Sequence, residues 1–287
     1  MIDKVEKIPF SSNGEFEERF LSPGIPVVLT GLHGEWSTPA KWTPDLLAKQ
    51  FGNHKVPVAT IHNGDYINGV QTEMLFGEYL QKIGALDDNK EAKSNSDSTI
   101  AYYLAQVPVD KYFPELASEI ELPSFFTNET PGSTVFYIGN SLFSQLHYHP
   151  FGSATQTLLY GEKRVRLFPP DQSHCLYPHP WHAKYPNLSK THNKIPDPEL
   201  YPKFSEAKFI DVTVSAGETL FFPIYWWHSI ENIGVSVAVT SFWTRSWTAR
   251  FIPPSSARAA YFAEPVKKVS NAGKKAAGKA LRLSGLR

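Results

Sequence analysis

The sequence is poor in cysteine, in net charge and in long apolar runs. Its single cysteine, Cys175, allows no disulfide within the chain and cannot build a zinc cluster. Lysine and arginine number 28, as do aspartate and glutamate, and this balance argues against a protein that binds nucleic acid through its whole surface. No apolar run approaches the roughly 20 residues of a membrane-spanning helix, and residues 1–7 alternate charges instead of forming an apolar leader. These absences predict an intracellular protein, cytoplasmic or nuclear, without a membrane span.

Aromatic residues and proline are abundant by contrast. Aromatic residues make up 14% of the chain, and its 23 prolines exceed the average share of about 5%. Short strands with aromatic faces, broken by proline and glycine, favour a β-barrel or sandwich over a helical bundle. The N-terminal part mixes both element types: strands at 24–31 and 100–106, and helices at 44–52 (with Thr43 as N-cap), 74–83 and 112–120.

From residue 134 to 243 the pattern predicts one strand after another. The expected strands are 135–139, 144–149, 154–160, 163–168, 208–214, 219–222 and 235–243, with turns at 161–162 and 215–218. A stretch rich in proline, histidine and tyrosine interrupts them, and we expect an insert over the barrel there. The polar residues 87–98 predict a surface loop. The predicted organisation is an N-terminal α/β flank (1–120), a barrel (121–250) with an insert at 169–203, and a C-terminal helix with a basic tail (251–287).

Three of the ten histidines form a candidate metal site. His147 and His149 bracket one residue of an extended segment, so both imidazoles project from the same face and can reach one ion. Two ligands from one strand hold a metal weakly, and His228, in an aromatic-dense segment, is the candidate for a distant third ligand. Taken alone, a histidine pair at this spacing is more often a surface or hydrogen-bonded core feature.

Three segments carry a resemblance to a known family. They are residues 146–149 (Leu-His-Tyr-His), 161–171 (Gly-Glu-Lys-Arg-Val-Arg-Leu-Phe-Pro-Pro-Asp) and 216–228, which ends in Trp-Trp-His. With these segments the chain resembles the JmjC or cupin-like Fe(II)- and 2-oxoglutarate-dependent oxygenases. It is most similar to the small stand-alone protein hydroxylases, such as the asparaginyl hydroxylase that inhibits hypoxia-inducible factor.

The resemblance implies a mainly β fold, a double-stranded β-helix (jelly-roll, cupin-like JmjC barrel), with flanking N-terminal α/β elements and C-terminal helices. It places His147 and His228 on the family's histidine ligands to Fe(II), and Lys163 on the residue that anchors the far carboxylate of 2-oxoglutarate. Tyr103 and Ser144 fall where hydroxyl groups complete that pocket. The structural alternatives are a surface lysine paired with its neighbour, a core tyrosine and a strand-edge serine.

The second ligand departs from the family pattern. The family has His-X-Asp, a facial triad of two histidines and one carboxylate, and here His149 occupies the carboxylate position. A neutral imidazole in place of an anion makes the site one unit more positive. Three histidines still hold iron, zinc, copper or nickel, so metal binding remains the expectation while oxygen activation is in question.

Three functions therefore compete. The first is an Fe(II)/2-oxoglutarate-dependent dioxygenase that hydroxylates a side chain of a protein or another macromolecule. The second is a three-histidine cupin metalloenzyme without 2-oxoglutarate, which would leave Lys163 without a cosubstrate to hold. The third is a catalytically decayed JmjC-like binding module. We expect a protein or peptide substrate and allow a homodimer. The basic tail, residues 265–287, could make weak contact with nucleic acid or another anionic partner.

Overall fold

Ten strands hydrogen-bond into one mixed sheet in the computed structural model, which describes residues 2–32, 39–62, 65–86, 100–123, 129–180, 182–191 and 196–245. The strands are β1 (Glu6–Pro9), β2 (Val27–Thr30), β3 (Lys55–His62), β4 (Asp65–Leu75), β5 (Ile100–Pro108), β6 (Glu129–Asn140), β7 (Ala154–Phe168), β8 (Ile210–Ser215), β9 (Glu218–Phe222) and β10 (Trp227–Arg245). Their order in the sheet is β1-β2-β9-β7-β10-β6-β5-β3-β4, and β8 pairs with β7.

The long strand β10 is the centre of this sheet. It pairs antiparallel with β6 on one side and with β7 on the other. The first half of β7 pairs with β9 and its second half with β8, so the sheet curls around an apolar interior. This architecture confirms the predicted mainly β, cupin-like jelly-roll.

Alternate residues of β10 belong to two hydrophobic cores. Ala238 faces the barrel interior, where residues of β2, β7, β8 and β9 also pack. Val237 and Val239 face the opposite side and pack against the N-terminal helices. The N-terminal flank therefore covers the outer face of the strands that form the barrel wall.

Five α-helices lie in the described flank. They are α1 (Asn13–Phe16), α2 (Pro44–Phe51), α3 (Phe76–Lys82), α4 (Val109–Tyr112) and α5 (Pro114–Ala117). Helix α2 begins as predicted, with the Thr43 hydroxyl accepting a hydrogen bond from the Leu46 amide at 3.4 Å. The single helix predicted at 112–120 is wrong. Two short helices occupy this region, because Pro114 has no N–H to continue α4 and instead starts α5.

Tyr79 of α3 ties the flank to the sheet. Its buried hydroxyl donates to the Ile138 carbonyl of β6 and accepts the Leu104 amide of β5 at 3.0 Å. The pairing of β5 with β6 shifts register just after Leu104, so the phenol supplies contacts where the ladder is irregular.

The turn predicted at residues 161–162 is wrong, because β7 runs through it. Gly161 takes a positive φ of +78°, and β10 bulges opposite it between Ile233 and Val237. A Cβ at Gly161 would lie 2.1 Å from the Val235 carbonyl oxygen. The glycine therefore marks a β-bulge inside a continuous strand, a feature that produces the same sequence signal as a turn.

Three further expectations need correction. The predicted strand 144–149 is an extended segment that forms isolated bridges and no continuous strand pairing, and one of these bridges joins His147 to His228. Strand β10 begins at Trp227, eight residues before the predicted start at 235, and strands β1, β3 and β4 were not predicted. The insert does not merely lie over the barrel, since Leu188 forms a bridge with His147.

The predicted loop at 87–98 and the predicted C-terminal helix and tail at 251–287 lie outside the described residues. No helix in the described parts of the chain combines the length and apolar character needed to cross a membrane.

Candidate metal centre

Main-chain hydrogen bonds bring the three candidate ligands together. The His147 amide donates to the His228 carbonyl at 3.0 Å, and the His228 amide donates to the His147 carbonyl at 2.7 Å. This pair places the two rings side by side, with centroids 4.2 Å apart, and the ring of His149 lies 4.7 Å from that of His228. The potential ligand atoms of the three histidines all lie within 4.8 Å of one another. One ion can therefore bridge them with small side-chain adjustments.

Two of these imidazoles are oriented by main-chain carbonyls. Nδ1 of His147 lies 2.8 Å from the Gln145 carbonyl oxygen, and Nδ1 of His228 lies 3.0 Å from the Trp226 carbonyl oxygen. Because a carbonyl only accepts, each Nδ1 carries the proton and each Nε2 presents a lone pair. This arrangement is typical of histidines that ligate metals.

His149 is held differently. Its Nδ1 is buried and has no hydrogen-bond partner among the described residues. Its ring packs edge-to-face on Phe242, with centroids 5.2 Å apart. The residue at the family's carboxylate position therefore lies against aromatic rings, without the polar support that the other two ligands receive.

All three imidazoles are held in the neutral form. Desolvation lowers the pKa of His147, and burial, with a smaller contribution from the neighbouring His147 imidazole, lowers the pKa of His149 to about 3. Burial and the two neighbouring imidazoles lower the pKa of His228 well below its usual value. Neutral imidazole is the form that binds a metal. Within the described residues no carboxylate joins this cluster, so its three protein ligands carry no charge.

Lys163 is buried in the barrel wall. Its side chain is 1% exposed, and its Nζ makes no hydrogen bond with any described residue. Nζ lies 6.0 Å from the ring centroid of Tyr137, which is a distant cation–π contact. Burial lowers the pKa of Lys163 to about 7. A buried ammonium group in this position destabilises the folded protein unless an anion pairs with it.

Other buried donors on β10 share this lack of partners. The amide nitrogen of Asn232, opposite Lys163 in the β7–β10 pairing, and the Ser236 hydroxyl make no hydrogen bond with the described residues. A Cβ at Gly139 would approach Asn232 Nδ2 and the Tyr103 ring to 2.9 Å, so this glycine makes room for both.

Sequence reasoning missed Asn232 and Ser236. A signal was present, because Asn232 follows His228 by four residues and shares its face of the strand.

The other two predicted cosubstrate residues differ in their surroundings. Tyr103 is 6% exposed, and its ring centroid lies 6.0 Å from that of Tyr137, so Tyr103 and Lys163 have a common neighbour. The Ser144 hydroxyl accepts the Ile230 amide at 2.8 Å and so supports the contact between the ligand segment and β10.

Comparisons with known proteins place most of the chain in one domain family. The sequence profile of the cupin-like domain matches residues 13–249. The chain is 27% identical to lysine-specific demethylase 8 of Xenopus tropicalis over 246 residues, which cover 84% of this chain and 53% of the relative. It is 29% identical to the tRNA wybutosine-synthesizing protein 5 of Homo sapiens over 252 residues, 83% of this chain and 77% of the relative.

A third relative is the bifunctional arginine demethylase and lysyl-hydroxylase psr-1 of Caenorhabditis briggsae, 28% identical over 245 residues, 79% of this chain and 57% of the relative. The chain spans about half the length of two lysine-specific demethylases that it matches. Demethylases and a hydroxylase among the relatives, together with the match over most of the chain, confirm the resemblance drawn from the sequence. The chain belongs to the cupin-like domain family.

Proposed function

We propose that this protein is an Fe(II)- and 2-oxoglutarate-dependent oxygenase that hydroxylates a side chain of a protein or another macromolecule. The observation that carries the proposal is a combination within one barrel. Three neutral imidazoles converge at one point, and a buried lysine has no partner among the described residues. The imidazoles suit a divalent ion, and the lysine suits an anion.

The donor set fits Fe(II). His147 and His228 would present Nε2 to the ion, since their Nδ1 atoms are engaged by carbonyls. His149 would provide the third nitrogen. Imidazole is a good ligand for divalent iron, and three protein ligands leave coordination positions open for a cosubstrate and oxygen.

The cosubstrate pocket fits a carboxylate. Lys163 Nζ, Asn232 Nδ2 and Ser236 Oγ are buried hydrogen-bond donors without described acceptors. A dicarboxylate that ligates the metal through one end would place its other carboxylate among these donors, and each contact with Lys163 would be charge-assisted. This fit also argues against a three-histidine enzyme without 2-oxoglutarate, because such an enzyme would leave the three donors unsatisfied.

The chemistry divides between the bound groups and the chain. Iron and 2-oxoglutarate, when bound, supply the oxidising chemistry, in which one oxygen atom of O₂ enters succinate, the other enters the substrate, and CO₂ is released. The chain orients two ligands through carbonyls and shields the site with the rings of Phe222 and Phe242, and Lys163 would neutralise the far carboxylate of the cosubstrate.

His149 supports the second candidate function, a three-histidine metalloenzyme that does not use 2-oxoglutarate. With no carboxylate in the described cluster, a three-histidine metalloenzyme that binds its substrate directly to the ion also agrees with the ligand set. A decayed binding module would need neither the ligands nor Lys163. Succinate formation separates the oxygenase from both alternatives.

A protein or peptide is the proposed substrate class. The names of the relatives point to lysine and arginine side chains, and one relative is named for tRNA modification. The basic tail at 265–287 remains a proposed contact for an anionic partner, and a homodimer remains a prediction.

The test is iron content and succinate release, measured on protein purified without oxygen and reconstituted with Fe(II). We expect the wild type to bind about one iron and to form succinate, and His147→Ala and His228→Ala to lose both. The control is His182→Ala, at an exposed position in the insert, which should behave as wild type. Equal iron retention in all four proteins would refute the assigned centre, and full iron occupancy without succinate would refute the oxygenase.

A further inference from the structure

An extended stretch of the insert lies beside the metal ligands. We call residues 187–191 the strap. The strap pairs with another part of the insert. The His179 amide donates to the Leu188 carbonyl at 2.9 Å, and the Lys190 amide donates to the Tyr177 carbonyl at 2.8 Å. It is therefore a supported element and not an isolated piece of chain.

The ligand segment lies between β10 and the strap, and its hydrogen bonds alternate. The amide and carbonyl of His147 face β10. Those of the neighbouring residues face the strap, where the Leu146 carbonyl accepts the Ser189 amide at 2.8 Å and the Tyr148 amide donates to the Asn187 carbonyl at 3.1 Å. The segment is thus hydrogen-bonded on both sides, to β10 and to the strap.

Asn187 breaks this pattern in a specific way. The Tyr148 carbonyl accepts from the side-chain amide of Asn187, with Nδ2 at 2.9 Å. One residue therefore holds both main-chain polar groups of Tyr148, one through its own main chain and one through its side chain.

The position of Tyr148 makes these two bonds relevant to the metal. Tyr148 stands between the two ligands, so its amide and carbonyl belong to the peptide planes that join it to His147 and His149. A rotation of either plane moves a ligand Cα and swings the imidazole attached to it. Metal–nitrogen distances in real sites lie within about 0.2 Å of their standard values, so the spacing of the two ligands must be well defined.

We propose that the Asn187 side-chain amide is a positioning residue of the metal centre, which fixes the spacing of His147 and His149 through the Tyr148 carbonyl. The inference rests on the metal centre proposed above. Outer contacts of this kind alter metal affinity by about 10–100-fold when they are removed.

The experiment measures Co²⁺ binding to the full metal-free chain by calorimetry, together with the visible absorption spectrum of the Co²⁺-loaded protein. We expect Asn187→Ala to raise the Kd about 10–100-fold and to change the absorption bands, because the ligand geometry changes. Asn187→Asp keeps the size of the side chain but faces the Tyr148 carbonyl with an acceptor, so it should weaken binding at least as much. If one variant fails to fold, the other carries the test.

Ser189→Ala is the matched control. It removes the Ser189 hydroxyl bonds to the Leu176 carbonyl (2.6 Å) and to Thr191 (2.8 Å) and leaves both Tyr148 bonds intact. It should lower the melting temperature while the Co²⁺ Kd stays within threefold of wild type. A Kd within threefold of wild type for Asn187→Ala or Asn187→Asp would overturn the proposal, as would an equal loss in Ser189→Ala. Co²⁺ binding that survives His147→Ala would instead overturn the metal centre itself.

Discussion

Replacing Lys163 with methionine should have opposite effects on stability and on ligand binding. Methionine fills a similar volume without a charge, and the change leaves the three imidazoles untouched. The wild-type amine is buried with no described hydrogen-bond partner, and burial lowers its pKa from 10.5 to about 7. Below pH 7 the metal-free wild type therefore contains a buried cation that no described residue neutralises.

The magnitude follows from this pKa. At about 1.4 kcal/mol for each pH unit, the difference between 10.5 and about 7 corresponds to about 5 kcal/mol of destabilisation below pH 7. Between pH 7 and 10.5 the unfolded chain binds a proton at this residue that the folded chain does not, so wild-type stability rises with pH in that window. At pH 9 about 2 kcal/mol of the penalty remains.

The assay is urea denaturation of the metal-free protein at pH 6 and pH 9. Lys163→Met should be more stable than wild type at pH 6 by several kcal/mol, and this advantage should shrink by about 3 kcal/mol at pH 9. Lys55→Met is the matched control, because the Lys55 side chain is 70% exposed and its removal should change stability little at either pH. A Lys163→Met variant that is less stable than wild type at pH 6 would refute the reasoning.

Ligand binding should change in the other direction. Truncating one partner of a buried charge pair weakens binding by about 2–5 kcal/mol, or about 30-fold to several thousandfold in Kd. Calorimetry with 2-oxoglutarate and the Ni²⁺-loaded protein should show this loss in Lys163→Met. Lys163→Arg should recover part of it, since the guanidinium keeps the charge but not the shape. An unchanged Kd in Lys163→Met would show that Lys163 does not contact 2-oxoglutarate.

Three further predictions concern the metal, the sheet and the ligand loop. His149→Asp returns the family's carboxylate, so Fe(II) should bind more tightly and succinate should form faster; unchanged iron affinity would contradict the charge argument. Tyr79→Phe leaves two buried backbone groups without the hydroxyl and should lower the free energy of unfolding, measured with urea, by about 2–4 kcal/mol. A loss under about 1 kcal/mol would show that water or a shifted β5 replaces the hydroxyl. Gly152→Ala would place a Cβ 1.7 Å from the Trp243 carbonyl oxygen, so the loop after His149 must move and the affinity for Co²⁺ should fall. If the variant binds Co²⁺ as tightly as the wild type, the loop does not position the ligand.

The sequence predicted the parts of this molecule that depend on local patterns. Helix α2 was predicted because Thr43, the proline after it and Gly52 mark its ends within ten residues of chain. The spacing of His147 and His149 likewise predicted two imidazoles on one side of an extended segment. Their approach to His228 followed from the resemblance and from the expectation of a barrel.

The rest depends on long-range contacts that no local pattern records. The sequence predicts a turn at Gly161, because glycine with a positive φ occurs in both turns and β-bulges. Only the pairing of this strand with β10 distinguishes the two. Asn232 lies in a buried strand and becomes a candidate ligand-binding group only when Lys163 is found opposite it. Asn187 belongs to a stretch without periodicity, and its contact with Tyr148 spans 39 residues.

The central place of β10 has a consequence for the order in which the molecule assembles during synthesis. Phe136 of β6 pairs with Val239, about 100 residues farther along the chain. At roughly 5–20 residues per second, the ribosome delivers that partner about 5–20 s after β6. Until then β6 and β7 expose edges that await a strand, which favours aggregation of the nascent chain. His228 stands at the start of β10, so the three imidazoles cannot meet before synthesis reaches this strand.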